Sequence, residues 1–181
     1  MLPSLVAEIF NNADTNSLLE NIELYDVNEK FGPSAVTPLI AASRKNDLTL
    51  VQELIEEGAD CNLPDNMGNT PLLIACMFAN DIEIIKALLH GNANPNIRNK
   101  RKLVPLQAAM LASNRSNPVT GQLITNREEA IRELLLYNAK IVYVNDFDIV
   151  ERISRIARTA GIGIGEKTTE ILSSSGLLKF E

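Results

Sequence analysis

The sequence predicts an all-α fold, a solenoid of stacked helix–turn–helix units with protruding β-turn fingers. The first observation is a recurring phrase: TPLIAA begins at Thr37, TPLLIAC at Thr70 and VPLQAAM at Val104. The starting positions differ by 33 (70 minus 37) and 34 (104 minus 70). A second phrase recurs in step, as LIEEGADCN, LLHGNANPN and LLLYNAKIV from positions 54, 88 and 134. Such a nearly fixed period is the signature of repeat architectures, in which each unit buries its apolar face against its neighbours.

Each unit is predicted to begin with a short helix. Proline at the first helical position loses no hydrogen bond, because that N–H has no partner within the helix. Thr37 and Thr70, just before the prolines, can cap the helix by accepting a hydrogen bond. Alanines then allow neighbouring helices to approach closely; they are Ala41, Ala42, Ala75, Ala108 and Ala109.

A second helix follows in each unit. Its apolar residues share one face, as Leu50, Val51, Leu54 and Ile55 do in one unit and Ile84, Ile85, Leu88 and Leu89 in the next. Gly58 is predicted to end the helix in the left-handed conformation, and Asn92 and Asn138 occupy the matching places.

A helix, a turn, a second helix and a finger, repeating with this period, resemble the ankyrin repeat. The matching residues are Thr-Pro-Leu at 37–39 and 70–72, the weaker Val-Pro-Leu at 104–106, and EEGADCN from Glu56. The resemblance is strong over residues 15–142. The sequence departs from the family pattern after these triplets, where the usual histidine is replaced by Ile40, Leu73 and Gln107. That removes a hydrogen-bonding group from the turns between repeats.

The chain is expected to form a single ankyrin-repeat domain with atypical ends, as in capped solenoids. The expected parts are an N-terminal cap over 1–31, repeats over 32–64, 65–98 and 99–142, and a C-terminal cap over 143–181. The third repeat carries an insertion near 113–126, which is either a functional loop beside the binding groove or a disordered one.

Composition limits the class of protein. Of 181 residues, 45% are hydrophobic and only 4% aromatic, so the core must consist mainly of Leu, Ile, Val and Ala. The formal net charge of −6 argues against a nucleic-acid binder. No apolar run approaches the roughly 20 residues of a membrane span. Cys61 and Cys76 form no disulfide or metal-ligand pattern and are expected to be buried.

These features indicate an intracellular, cytoplasmic protein. The many Asn and Ile residues are typical of an AT-rich genome. If the source is an intracellular bacterium, delivery into a host cell as an effector is a further hypothesis, which no residue demonstrates.

The sequence contains no credible catalytic, cofactor-binding or metal-binding constellation. The only histidine, His90, is expected at an exposed helix end. The best candidate for a nucleotide-binding loop is GIGIGEKTT at 161–169, but Glu166 precedes Lys167 where a phosphate loop has glycine. We therefore predict no enzyme activity, no cofactor and no metal. A nucleotide-dependent switch or enzyme at 161–169 is one alternative.

The resemblance implies protein binding instead of catalysis. Ankyrin arrays are generally protein-binding scaffolds that use finger tips and the exposed face of each first helix as one concave surface. By position, the first-helix candidates here are Arg44, Lys45, Met77, Phe78 and Leu111. The finger-tip candidates are Asn66, Met67, Asn69, Lys100, Arg101 and Leu103, with Pro33 and Ser34 before them.

Two features of this surface have competing interpretations. Met77 and Phe78 occupy positions that are exposed in the family, and they either fill a partner pocket or pack onto the neighbouring repeat. The basic segment, RNKRK from Arg98 to Lys102, is either a solvated loop or a site for an acidic partner segment or a membrane surface. Nucleic acid is disfavoured because no aromatic residue is interleaved. Lys102 replaces the finger glycine of the family, so this turn is expected to be distorted or mobile.

The favoured hypothesis is a monomeric, non-catalytic scaffold that binds a partner protein. The partner would present an acidic segment to the basic segment of this chain. A homo-oligomeric assembly module that pairs through Met77 and Phe78 is the second alternative.

Overall fold

The computed structural model describes residues 4–11, 14–78, 81–111, 127–139 and 155. Its helices are α1 (Leu5–Phe10), α2 (Thr15–Leu19), the 3₁₀ helix η1 (Ile22–Leu24), α3 (Pro38–Lys45), α4 (Leu48–Glu56), α5 (Pro71–Phe78), α6 (Ile82–His90), α7 (Pro105–Leu111) and α8 (Arg127–Leu136). These residues form no strand, and an antiparallel bridge joins Phe31 to Val36. The all-α prediction is confirmed.

Three expectations concern residues outside the described ranges. They are the insertion near 113–126, the C-terminal cap at 143–181 apart from Arg155, and the glycine-rich stretch at 161–169.

The helices form two layers. An inner layer consists of α1, α3, α5 and α7, each packed against the next, and an outer layer consists of α2, α4, α6 and α8. Each of α3, α5 and α7 also packs against the outer helix that follows it. The main contacts therefore join neighbouring units, which is the arrangement of the predicted solenoid. No helix in the described part of the chain has both the length and the apolar character to cross a membrane.

The inner helices begin with hydroxyl caps. Thr37 and Thr70 each accept a hydrogen bond from the N–H three residues later, at 3.2 Å, as predicted. Ser4, one repeat period before Thr37, makes the same contact at 3.4 Å, so the N-terminal cap begins as the repeats do. Val104 cannot cap α7, and its N–H donates instead to Gln107 Oε1 at 3.4 Å. This hydrogen bond differs from the one that the threonines accept, because here the Gln107 side chain is the acceptor and the N–H just before the helix is the donor.

The outer helices end as the sequence predicts. Gly58, Asn92 and Asn138 have φ of +87°, +66° and +60°, in the left-handed region that glycine and asparagine tolerate best. The following N–H returns to a carbonyl in the last turn each time, from Ala59 to Leu54 at 2.8 Å, Ala93 to Leu88 at 2.9 Å and Ala139 to Leu134 at 2.9 Å. This pairing satisfies carbonyls that would otherwise lack a partner at the helix end.

The core lies between the two layers and is aliphatic. The predicted alanines are all buried there, which allows the inner helices to pack closely; they are Ala41, Ala42, Ala75, Ala108 and Ala109. Cys61 and Cys76 are also buried. Burial, together with the nearby Asp60 carboxylate, raises the pKa of Cys61 to about 11, so little reactive thiolate is present near neutral pH.

Candidate protein-binding surface

The second finger (residues 65–69) is a turn fixed by its first side chain. Asp65 is buried, and its Oδ1 accepts hydrogen bonds from the N–H groups of Met67 and Asn69, each at 2.8 Å. The amide of Asn69 donates to Asp65 Oδ2 at 2.8 Å. Gly68 allows the chain to reverse, with φ of +77°. The carboxylate therefore has both oxygens occupied within its own turn.

The third finger (residues 99–103) repeats this turn with different residues. Asn99 Oδ1 accepts from the N–H groups of Arg101 and Leu103, each at 2.9 Å. Lys102 has φ of +63° and donates its N–H to the Asn99 carbonyl at 2.8 Å. The expected distortion is not seen, because lysine adopts the left-handed backbone that glycine has in the second finger.

Backbone hydrogen bonds join each finger to the one before it. The first finger comprises residues 31–36, and its Ser34 carbonyl accepts from the Asn66 N–H at 2.9 Å. The Met67 carbonyl accepts from the Lys100 N–H, also at 2.9 Å. The fingers thus form a connected row, in which the position of each turn is set by the previous one.

Two of the predicted contact residues take part in this connection through their side chains. Asn66 Nδ2 donates to the Pro33 carbonyl at 2.6 Å. Asn69 Oδ1 accepts from Asn99 Nδ2 at 2.8 Å and so links the side chains of two fingers. Asn69 is half-buried, whereas Asn66 is exposed.

A ladder of asparagines lies at the base of the fingers. Each side-chain amide donates to the carbonyl at the end of the next outer helix: Asn28 to Gly58 at 3.2 Å, Asn62 to Asn92 at 3.1 Å and Asn96 to Asn138 at 3.2 Å. This ladder was not predicted from the sequence. The sequence does contain a pattern that could have revealed it, because asparagine recurs at positions 28, 62 and 96 with the period of the repeats.

The tips of the second and third fingers expose a mixed apolar and basic surface. Met67 is 44% exposed, and Lys100, Arg101 and Lys102 are exposed as well. Leu103 differs, because it is half-buried and packs against the hydrophobic core. The finger-tip prediction thus combines exposed residues with two half-buried ones, Asn69 and Leu103.

The cations of the basic segment are not paired within the described ranges. No carboxylate among the described residues lies within 4.0 Å of the charged groups of Arg98, Lys100, Arg101 or Lys102. On the outer layer, by contrast, Lys86 lies 2.8 Å from a Glu83 oxygen and 3.4 Å from one of Glu129, and the hydrogen bond to Glu83 raises the pKa of Lys86.

The ends of α3 and α5 face each other across the repeat boundary. The guanidinium of Arg44 lies 5.6 Å from the centre of the Phe78 ring, within the range of a cation–π contact, and both side chains are half-buried. Met77 is partly buried and packs against the core. Of the two interpretations of Met77 and Phe78, the structure shows packing within the array for both residues.

Two further candidates lie at the ends of the inner helices. Lys45 is half-buried, and its ammonium donates to the Ile9 carbonyl of α1 at 2.7 Å, where it joins the first two units. Leu111 ends α7 and is 54% exposed. Leu111 is therefore the most accessible inner-helix candidate.

The described residues contain no group of three or more His, Cys, Asp or Glu side chains that could hold a metal ion. His90 is exposed at the end of α6, as predicted, and its ring meets Tyr137 edge to face, with centroids 6.0 Å apart.

Sequence comparison agrees with this architecture. The family model described as ankyrin repeats (3 copies) matches residues 4–99. The chain belongs to the ankyrin-repeat family. Ankyrin repeats generally mediate protein–protein interactions and are generally non-catalytic. The match begins at Ser4, the residue that caps α1 in the position of the repeat threonines. No curated protein matches this sequence.

Proposed function

We propose that this ankyrin array is a non-catalytic scaffold that binds a partner protein through its concave surface and finger tips. The observation that carries the proposal is the basic segment, which presents four exposed cations with no carboxylate within 4.0 Å among the described residues. The chain as a whole has a formal net charge of −6. Such a local reversal of charge favours a partner segment that is acidic, because opposite charges steer association and fix the register.

The rigidity of the third finger supports the same proposal. Asn99 holds the turn with two accepted hydrogen bonds, and Lys100 is tied to Met67 through the backbone. A surface that is already ordered loses less conformational entropy on binding than a flexible loop does. The cations are flexible side chains, but the backbone that carries them is held in place.

The predicted residues divide into contacts and supports. We propose that the partner contacts the exposed members, which are Asn66, Met67, Lys100, Arg101 and Leu111. The half-buried members hold the surface in shape and reach the partner through their exposed edges; they are Arg44, Lys45, Asn69, Met77, Phe78 and Leu103. We propose the monomer as the binding unit. The cytoplasmic location and an effector role stay predictions.

Site-specific photo-cross-linking in extract of the source cells tests the location of the surface. A photoreactive residue is placed at Met67, Arg101 or Leu111, and in matched controls at Gln52 or Arg132, which are exposed on outer helices α4 and α8. We expect a cross-linked partner band from the first set and not from the second.

The pattern of cross-links decides between the alternatives. If partner bands form only when the photoreactive residue replaces Gln52 or Arg132, the proposed surface is wrong. Cross-links between two copies of the chain from 67 or 111 would favour the homo-oligomeric module. A nucleotide-dependent switch predicts that the cross-links change on addition of ATP or GTP, whereas the scaffold predicts no change.

A further inference from the structure

We propose that the segment bound at the second and third fingers is a short extended stretch of acidic residues with one apolar side chain beside them. The carboxylates would pair with Lys100, Arg101 and Lys102, and the apolar side chain would pack on Met67. This inference rests on the proposed function and adds to it the chemistry of the partner.

The placement of Met67 beside the cations comes from the backbone. The Lys100 N–H donates to the Met67 carbonyl at 2.9 Å, so the exposed apolar residue Met67 and one cation of the basic segment are direct neighbours. Both residues are in turns held by the side chains of Asp65 and Asn99. A bound segment that reaches one of them passes close to the other.

Met67 is suited to an apolar contact of modest specificity. Its side chain is exposed although it is apolar, and methionine is unbranched and adapts to differently shaped partners. The contact would exclude water from one flank of the cations. Ion pairs strengthen when water is excluded around them, because the local dielectric constant falls.

The distance between the two fingers limits the spacing within the bound segment. Hydrogen-bonded backbone segments lie about 4.8 Å apart, and an extended chain advances about 3.3 Å per residue. The apolar residue of the partner is therefore expected within about three residues of its first carboxylate. Arg101 can bind a carboxylate with two parallel hydrogen bonds, whereas the lysines contribute point charges.

The remainder of the described surface favours an acidic peptide over nucleic acid or a lipid membrane. The outer helices carry many carboxylates, among them Glu53, Glu56, Glu83, Glu128 and Glu129. A long polyanion extending beyond the fingers would be repelled by such a surface, while a short segment reaches only the cations. DNA-binding proteins commonly neutralise about six to ten phosphates, and this segment offers four cations.

Fluorescence anisotropy with the full chain and defined probes tests the inference. The parent probe is a labelled ten-residue peptide with one Leu followed by four Glu or Asp. The second probe has Gln and Asn in place of the acids, and the third has Ser in place of Leu. We expect the uncharged probe to bind at least about tenfold more weakly than the parent and the Ser probe about threefold to tenfold more weakly.

Matched variants link the binding to the fingers. Lys100→Glu is expected to weaken binding of the parent probe about tenfold or more, and Met67→Ser is expected to remove the preference for Leu over Ser. Arg132→Glu makes the same change of charge on the exposed surface of α8 and is expected to leave binding within about twofold. Circular dichroism of each variant confirms that the array is folded.

Several results would overturn the inference. Equal binding of the charged and uncharged peptides would do so, as would tighter binding of a short labelled DNA duplex or of vesicles made of phosphatidylcholine and phosphatidylserine. If cross-links to a partner form at 101 while no acidic probe binds, the scaffold function stands and the proposed partner chemistry fails.

Discussion

The second and third fingers have the same backbone turn but opposite charge. In each, the first side chain accepts two backbone N–H groups, and the fourth residue has a left-handed backbone. The second finger uses Asp65 and Gly68 for these positions and contains one carboxylate and no cation. The third uses Asn99 and Lys102 and contains three cations and no carboxylate.

This difference shows which properties of a finger are structural and which are open to change. An amide replaces the carboxylate at the anchoring position, so the turn is kept while its negative charge is lost. Lysine replaces glycine at a backbone conformation that costs an ordinary residue about 1–2 kcal/mol. Strained positions of this kind tend to occur at functional sites, and here the strained residue, Lys102, is one of the exposed cations of the finger tip.

The largest expected effect on stability is that of Asp65→Ala in the second finger. The variant loses three accepted hydrogen bonds, one of them from the Asn69 side chain, and leaves two backbone N–H groups without their partner. We expect the free energy of unfolding to fall by about 2–4 kcal/mol, measured by urea titration. Asn99→Ala is the matched control and should cost less, because hydrogen bonds to a neutral amide are weaker than those to a carboxylate. An equal or larger loss in Asn99→Ala would contradict this explanation.

Replacing the tip of the third finger with that of the second tests whether binding of the acidic probe can be lost while stability is kept. Lys100→Asn, Arg101→Met and Lys102→Gly together give the third finger the tip sequence of the second. We expect binding of the acidic probe to weaken at least about tenfold, which corresponds to about 1.4 kcal/mol, while thermal stability is kept or raised. Retained affinity would show that the positive charge of this finger is not used for the probe.

Gly68→Ala tests whether the second finger requires glycine at the position where the third finger has lysine. At φ of +77°, a Cβ at this position would stand 3.1 Å from the Asn99 Cα and 3.2 Å from the Lys100 backbone nitrogen. The variant combines backbone strain with crowding against the third finger, so we expect a loss of about 1–2 kcal/mol in urea titration. A neutral result would mean that the glycine is not required for the turn, as the lysine of the third finger already suggests for the backbone alone.

The smallest expected effect is a gain. Lys102→Gly removes the strained side chain from a residue with φ of +63°. We expect stabilisation by about 0.5–1 kcal/mol, because the relief of strain is partly offset by the greater freedom of glycine in the unfolded chain. The same variant should bind the acidic probe more weakly, as measured by anisotropy. A loss of stability would instead assign the Lys102 side chain a structural contact.

The repeat framework was predictable because it depends on local chemistry with a nearly fixed period. Thr37 and Thr70 act as caps, and Gly58, Asn92 and Asn138 end the outer helices, as their residue types indicate. The family match over residues 4–99 agrees with the ankyrin resemblance. Each of the caps and helix ends involves groups only a few positions apart, so a single sequence contains the necessary information.

The side-chain contacts between units were not predictable in the same way. Position in the repeat suggested that Lys45 and Phe78 are exposed, but Lys45 reaches the Ile9 carbonyl and Phe78 lies under the Arg44 guanidinium. Both contacts join residues from different units, and their geometry depends on how closely the inner helices pack. The length of a lysine or arginine side chain alone does not reveal which backbone or ring it reaches.

The asparagine ladder makes the array extensible. Asn28, Asn62 and Asn96 each bond to the helix end of the next unit. Deleting or duplicating one whole unit between equivalent asparagines would therefore preserve every remaining contact of the ladder. The number of repeats could therefore change by whole units while this part of the contact between neighbouring units is kept.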